Sequence, residues 1–439
     1  MRRLLLVIYG LFLWMIYSCN NQPGKIAVIF SPVQVVHTQQ DQLTQVIIYD
    51  VFTPPVASRI YAYTSLAAFE AIRFLKTGEP SLTASMHGFD KMPEPEKNKQ
   101  YDFVLASKHA FFTVAHEVVF SIDSLKTFED AVDQQYKSTL AKDVYENSVA
   151  FGDSIGRTIL KRAIKDNYLK SRSKPKYLGK NRPDKWRPTP PDYLDGVEYC
   201  WNEMKPLLMD SAAQFMPPDP PPYSTDTNSV FFKQVMDVYY ANKNLTNEQI
   251  EIAKFWDDNP FVVEHSGHLM MGRKKITPGG HWMGITAIAS QMKNADAVQS
   301  VKAYALTAVA LFEAFISCWD IKYKWDYIRP VTVINEQIEK TWTPLLQTPP
   351  FPEYTSGHST ITAAAATVLT KVYGDNMAFQ DTSDLRYIGM QRHFNSFIQA
   401  SDEASVSRFY GGIHYKNSVD QGAKSGKLLG TFIIKKLSL

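Results

Sequence analysis

Apolar residues recur every three or four positions over long stretches of this chain. SRIYAYTSLAAFEAIRFL (58–75), DFVLASKHAFFTVAHEVVF (102–120) and VYENSVAFGDSIGRTILKRAI (144–164) carry that spacing, which gathers apolar side chains on one helical face. Residues 303–319 are apolar almost throughout, with Glu313 their one charged residue, and are followed by Asp320 and Lys322. A run with a carboxylate inside it predicts a core helix rather than a membrane span. Alternation of period two is confined to short pieces such as KIAVIF (25–30). The pattern predicts a mostly α-helical protein.

Two stretches break it. Residues 173–192 (SRSKPKYLGKNRPDKWRPTP) and 205–223 (KPLLMDSAAQFMPPDPPPY) are rich in proline, which lacks an N–H and fixes φ, so neither continues a helix. They are either a linker between two helical halves or an ordered wall around a site. Trp186, Tyr193, Phe215 and Tyr223 among the prolines favour packing. The halves are placed at 51–200 and 201–439, after a segment 19–50.

The first residues have another pattern. MRR is followed by LLLVIYGLFLWMIY and then Ser18-Cys19, the order of an export signal. Residues 1–18 are read as a lipoprotein-type signal peptide, with Cys19 the lipidated residue. Such an anchor tethers a domain to a membrane without a span, so the expected location is periplasmic or outer-membrane, in a bacterium. The 439 residues suffice for a large core, and the net charge of +3 (47 basic, 44 acidic) gives no field for nucleic acid. Cys200 and Cys318 either pair or remain buried thiols.

The candidate chemistry lies in the last third. In CWDIKYKWDYIRP (318–330), Lys322 and Arg329 are seven apart. On one helix seven residues turn about 700°, which puts both on one face roughly 10 Å apart. In TSGHST, Ser356, Gly357 and His358 stand where a helix begins, and free N–H groups there make an anion site. In SRFYGGIHYKNSVD (407–420), a double glycine can turn Arg408 and His414 toward one place. Three cations, backbone and hydroxyl donors and two imidazoles are what a tetrahedral oxyanion such as phosphate or vanadate needs. One His can bond the central atom while the other moves protons. EHSGH (264–268) with His281 raises a zinc reading, but no cysteine or carboxylate pattern completes that set.

The order K-x6-RP, SGH and SR-x5-H across 322–420 resembles the superfamily of vanadium-dependent haloperoxidases and type 2 phosphatidic-acid phosphatases. WRPTPPDY, QFMPPDPPP, FWDDNP and TPGGHW resemble its soluble bacterial haloperoxidase-like branch, extending the likeness from about residue 58 to the C-terminus. The resemblance implies an all-α fold of two helical bundles around a central oxyanion site. It implies that Lys322, Arg329 and Arg408, with Ser356 and the Gly357 N–H, hold the anion's oxygens. His414 would bond vanadium or attack phosphorus, and His358 would be the acid–base group. Asp258, or alternatively its neighbour Asp257, would pair with Arg408, and Trp319 and Phe351 would stand on the halide side or simply pack in the core.

One position departs from the pattern. Phosphatase relatives continue H-x3-D, the Asp orienting the nucleophilic His, whereas residue 418 is Ser and Asp420 lies off that face. The implied function is halide oxidation by peroxide with vanadate as cofactor. The alternatives are an acid phosphatase on phosphomonoesters, working through a phosphohistidine at His414 without a cofactor, and a non-catalytic oxyanion binder.

Overall fold

A computed structural model describes residues 30–260, 263–266, 269–272 and 275–439. The expected signal peptide (1–18), Cys19 and KIAVIF up to Ile29 lie outside the described residues, as do the side chains of His265 and His268.

Helices form almost all the regular structure. The first half holds α1 (Pro32–Tyr49), α2 (Pro54–Ile72), α3 (Phe103–Val118), α4 (Asp123–Thr139), α5 (Lys142–Ile164) and the short α6 (Tyr168–Arg172). The second holds α7 (Val230–Lys243), α8 (Asn247–Phe255), α9 (Pro278–Met292), α10 (Ala297–Trp325), α11 (Pro330–Gln337), α12 (Gly357–Tyr373), α13 (Leu385–Ile388), α14 (Phe397–Tyr410) and α15 (Lys416–Lys436). Two antiparallel pairs complete it: β1 (Val263–Ser266) with β2 (Leu269–Gly272), and β3 (Phe379–Asp381) with β4 (Arg392–Phe394). The all-α expectation holds. Proline in the first turn opens α1, α2, α9 and α11, where its missing N–H has no intrahelical partner to lose.

The main apolar core runs from Val35 in α1 to Ile433 in α15 and draws on both halves. At its centre lies α10, whose most apolar stretch is 94% buried inside the fold. It is the core helix that its sequence predicts. Both α2 and α12 pack against it. Glycines let α15 come close to α12. A Cβ on Gly422, Gly426 or Gly430 would stand 2.9, 2.1 or 2.9 Å from the carbonyl oxygens of Ser356, Thr360 and Ala364. The contact fixes the first turn of α12, where the candidate anion donors sit.

The proline-rich stretches pack on the helices rather than forming a free linker, although none of their residues lines the cavity beside Gly357 and His414. Trp186 is fully buried, Phe215 packs on Phe432 and Tyr223 on Phe231; Tyr193 is exposed. The Val197 carbonyl accepts from Trp319 Nε1 at 3.1 Å and from the Tyr323 hydroxyl at 2.7 Å. Pro218 accepts from Tyr354 at 2.5 Å. Buried Glu313 accepts the N–H groups of Leu207 (2.6 Å), Leu208 (3.2 Å) and Met209 (2.7 Å). The carboxylate that interrupts the apolar run is thus the pin holding the second stretch to α10. Cys200 and Cys318 are separate buried thiols.

One expectation fails. Lys322 and Arg329 do not share a helical face. Helix α10 ends at Trp325, Asp326 caps it with φ of +52°, and Arg329 is the N-cap of α11. Pro330 starts a helix rather than ending one, because fixed φ suits a first turn. The break lets the Arg329 guanidinium reach the loop ahead of α12.

Burial raises the Glu313 carboxyl to about 7, against three backbone donors that favour its charge. A carboxyl raised on folding adds stability that is full below about pH 4.5 and is lost as pH rises through about 7. Glu313→Gln removes that slope from a series of unfolding curves between those pH values. Glu313→Ala lowers stability by about 1–3 kcal/mol per unpaired buried donor at its largest, read by chemical denaturation.

Candidate functional site

The loop 349–355, the N-terminus of α12 and the turn between α14 and α15 meet around a small cavity. Its lining includes Trp319, Phe351, Gly357, His358, Arg408 and His414.

Ser356 is the N-cap of α12. Its oxygen accepts from the Ser359 N–H at 3.3 Å and the Ser359 hydroxyl at 2.9 Å, leaving its own proton to donate. Among the described residues no carbonyl accepts the Gly357 N–H. A Cβ on Gly357 would stand 3.5 Å from Trp319 and 3.9 Å from Lys322, occupying the cradle at that helix start. The double glycine works as expected: Gly411 ends α14, Gly412 adopts φ of +76°, and the chain reverses so that Arg408 and His414 both face the cavity.

His414 is oriented by a residue absent from the sequence reading. Its Nδ1 donates to Glu353 Oε1 at 2.8 Å. Glu353, fully buried, also accepts the Tyr415 N–H at 2.9 Å and the Ser418 hydroxyl at 2.6 Å. Ser418, where an acid is usual, thus supports an acid supplied by the loop before α12. Asp420 turns outward to Lys416, 2.7 Å away. With its proton on Nδ1, His414 presents the Nε2 lone pair, which accepts from Arg329 Nη1 at 3.2 Å. Burial, Arg329, Lys322 and Arg408 hold this imidazole well below its ordinary pKa, so it stays a neutral ligand or nucleophile. Burial raises Glu353 to about 7.

All three predicted cations are buried, and their N–H groups turn largely to carbonyls. Lys322 Nζ donates to Pro352 (2.9 Å), Glu353 (3.1 Å) and Thr355 (2.5 Å), and burial lowers it to about 7. Its ammonium therefore shapes the loop and acts on the cavity through space, rather than aiming a proton into it. Arg329 donates to Phe351 at 2.9 Å and Ile413 at 2.7 Å. Arg408 Nη1 donates to Trp256 at 2.6 Å, while its buried Nε has no partner.

The predicted pairing of Asp258 with Arg408 is not formed. Among the described residues no ion pair joins them, although Asp257 and Asp258 both act on the Arg408 charge through space. Asp258 instead accepts from His281 Nδ1, with both oxygens at 3.1 Å, because the loop after α8 directs the carboxylate toward α9. Asp257 pairs with Lys275. The zinc set of His265, His268 and His281 lies largely outside the described residues; of its members only the His281 side chain is described, and both of its nitrogens face carboxylates.

His358 is 15% exposed at the side chain, and its Nε2 has no partner, lying 3.9 Å from Asp258 Oδ2. Burial, Arg408, His281 and Lys322 depress its pKa well below the usual value, and the Trp256 carbonyl works the other way. Trp319 and Phe351 pack together with ring centroids 5.0 Å apart. Pro54, Pro260, Pro278, Pro349, Phe315 and Ile413 complete an apolar collar.

A family model for the VCPO second helical-bundle domain matches residues 302–438. The crystal structure of a bacterial vanadium-dependent iodoperoxidase is 41% identical with a TM-score of 0.88, over 93% of this chain and 97% of that one. The chain belongs to the vanadium-dependent haloperoxidase family. Two further structures of bacterial vanadium-dependent chloroperoxidase, holo and apo, share the family's fold at 17% identity and a TM-score of 0.66. They cover 95% and 93% of this chain and 94% and 95% of their own. No curated protein sequence matches it.

Glu353 left one signal in the sequence: a carboxylate three residues before the helix start, in a chain whose position 418 lacks one. Glu353→Ala should weaken inorganic phosphate or orthovanadate binding about 10- to 100-fold, as loss of a partner behind a ligating His does. Glu353→Gln, which keeps the shape, should lose less. Titration calorimetry measures both, and unchanged affinity in Glu353→Ala contradicts the orienting role.

Proposed function

We propose that this chain oxidises halide with hydrogen peroxide at a vanadate held by His414, and that iodide is its best halide. The observation that carries the reading is the His414 imidazole, fixed at Nδ1 by Glu353 and presenting Nε2 to a cavity walled by buried cations.

The residues present fit vanadate. The orphaned Arg408 Nε, the free Ser356 proton, the open Gly357 N–H and the space a Gly357 Cβ would fill are the donors and the room for a tetrahedral oxyanion. His414 Nε2 would be the ligand, and Arg329 and Arg408 would hold oxygens, with Lys322 adding charge from behind Phe351. Bound there, vanadate would supply the Lewis-acidic centre at which peroxide becomes reactive toward halide. His358, kept neutral, would take at Nε2 the proton that hydrogen peroxide loses and return one to the departing oxygen. The balance is H2O2 + X⁻ + H⁺ → HOX + H2O.

Iodide is favoured by the collar. A halide entering between prolines, Trp319 and Phe351 sheds water against largely apolar walls, and the cost is smallest for the most weakly hydrated ion. The 41% identical relative is an iodoperoxidase. We also propose that the protein is an exported lipoprotein anchored at Cys19 and that its bundles divide at 51–200 and 201–439, both supported by the sequence pattern.

Glu353 favours one second reading. By orienting His414 it supplies what phosphoryl transfer needs, so an acid phosphatase using a phosphohistidine remains the alternative. The two readings separate in one experiment. Purified protein is assayed with hydrogen peroxide and iodide or bromide, with and without orthovanadate, beside a phosphomonoester. Vanadate-dependent iodide oxidation, faster than bromide oxidation, is expected. Robust phosphate release without halide oxidation at saturating vanadate replaces the first reading with the second. His414→Ala should abolish either activity. His358→Ala should lower kcat about 10²- to 10⁴-fold while changing anion affinity far less.

A further inference from the structure

The FWDDNP and TPGGHW segments meet in a buried cluster behind the anion site. His281, in the first turn of α9, is fully buried between carboxylates. Its Nδ1 lies 3.1 Å from both Asp258 oxygens and 3.7 Å from Asp384 Oδ2, and its Nε2 lies 3.0 Å from Asp381 Oδ2. The Trp256 indole stacks on the imidazole, centroids 4.4 Å apart and planes at 20°. One side chain thus grips the 256–258 segment twice, by a ring face and by an ion pair.

That segment touches the site in two places. The Trp256 carbonyl accepts from Arg408 Nη1 at 2.6 Å, and Asp258 Oδ2 lies 3.9 Å from His358 Nε2. Asp258 has φ of +41°, a strained conformation for a residue with a Cβ that persists only where its surroundings hold it. We infer that His281 is a positioning residue for the anion site, clamping the Trp256–Asp258 segment so that its carbonyl fixes Arg408 and its carboxylate faces His358. The inference rests on the reading in which Arg408 and His358 face a bound oxyanion.

A divalent cation is the competing occupant, since ligand atoms of Asp258, His281 and Asp384 lie within 4.8 Å of one another. Both ring nitrogens already face carboxylates, however, so the cluster's cation is the imidazolium. Burial opposes that charge, but Asp258 and Asp381 outweigh burial and hold the His281 pKa well above its ordinary value. Burial and the neighbouring Asp258 carboxylate raise Asp384 to about 8, which leaves it protonated near neutrality.

The test compares wild type, His281→Gln, Asp258→Asn and the double variant in the full chain. Inorganic phosphate affinity is read by calorimetry, and the histidine ring resonances by NMR on labelled protein. His281→Gln should weaken phosphate binding about tenfold, and the double variant should lose no more than the worse single, since residues acting through one another are not additive. The His358 resonances should move in both single variants while those of His109, in α3, stay. Wild-type affinity in folded His281→Gln, or losses that multiply in the double, overturns the inference. If His281→Gln does not fold, the near-isosteric Asp258→Asn decides by the same two readouts. Phosphate affinity that falls on chelation and returns with zinc overturns it in favour of a metal. Phosphate binding is independent of halide chemistry, so a wild type that binds phosphate but oxidises no halide defeats the proposed activity and leaves this inference to its own affinities.

Discussion

Three cations without solvent are the constraint on which this fold is built. Lys322, Arg329 and Arg408 are buried within one small region, and burying an isolated charge costs several kcal/mol even after relaxation. Burial raises the Glu353 carboxyl among them to about 7 and lowers Lys322 to about 7, while Asp257 and Asp258 act on Arg408 through space. The remaining compensation comes from backbone carbonyls: Pro352, Glu353 and Thr355 for Lys322, Phe351 and Ile413 for Arg329, Trp256 for Arg408. Carbonyl dipoles lower the cost of the cations without adding a negative charge of their own. The folded protein therefore holds a positive field inside a dry wall, which an oxyanion at the start of α12 would discharge.

The supporting elements follow from that requirement. Carbonyls must point inward from loops, since helices have already committed theirs, and prolines supply extended backbone without surplus donors. The helices fix where those loops end. Gly422, Gly426 and Gly430 bring α15 against α12, and Glu313 pins 207–209 to the core helix.

Much of this was legible in the chain. Helical periodicity located the long helices, since an amphipathic face and a buried helix both leave marks along a continuous segment. Ser356, Gly357, His358, Arg408 and His414 were readable because a helix start and a glycine turn are local events. The failures share a cause. Lys322 and Arg329 were expected on one helix because spacing alone does not show the left-handed cap at Asp326. Asp258 was paired with Arg408, and Glu353 was not found, because partner choice across 61 residues, as for His414 and Glu353, depends on how loops cross. No periodicity encodes a coil carboxylate, and only the missing acid at 418 pointed to one. His281 was visible as a residue but not as an imidazolium, since its charge depends on Asp258 and Asp381 arriving from distant segments.

The central claim is that His414 Nε2, oriented by Glu353, is the bonding atom of an oxyanion cage. Crystals of the protein soaked in orthovanadate and measured at the vanadium absorption edge test it most directly. The account predicts one anomalous peak within bonding distance of His414 Nε2, with Arg408 Nε and the Gly357 N–H turned to the anion's oxygens. A cavity without vanadium at saturating concentration, or vanadium bound elsewhere while His414 Nε2 keeps its bond to Arg329, would contradict it.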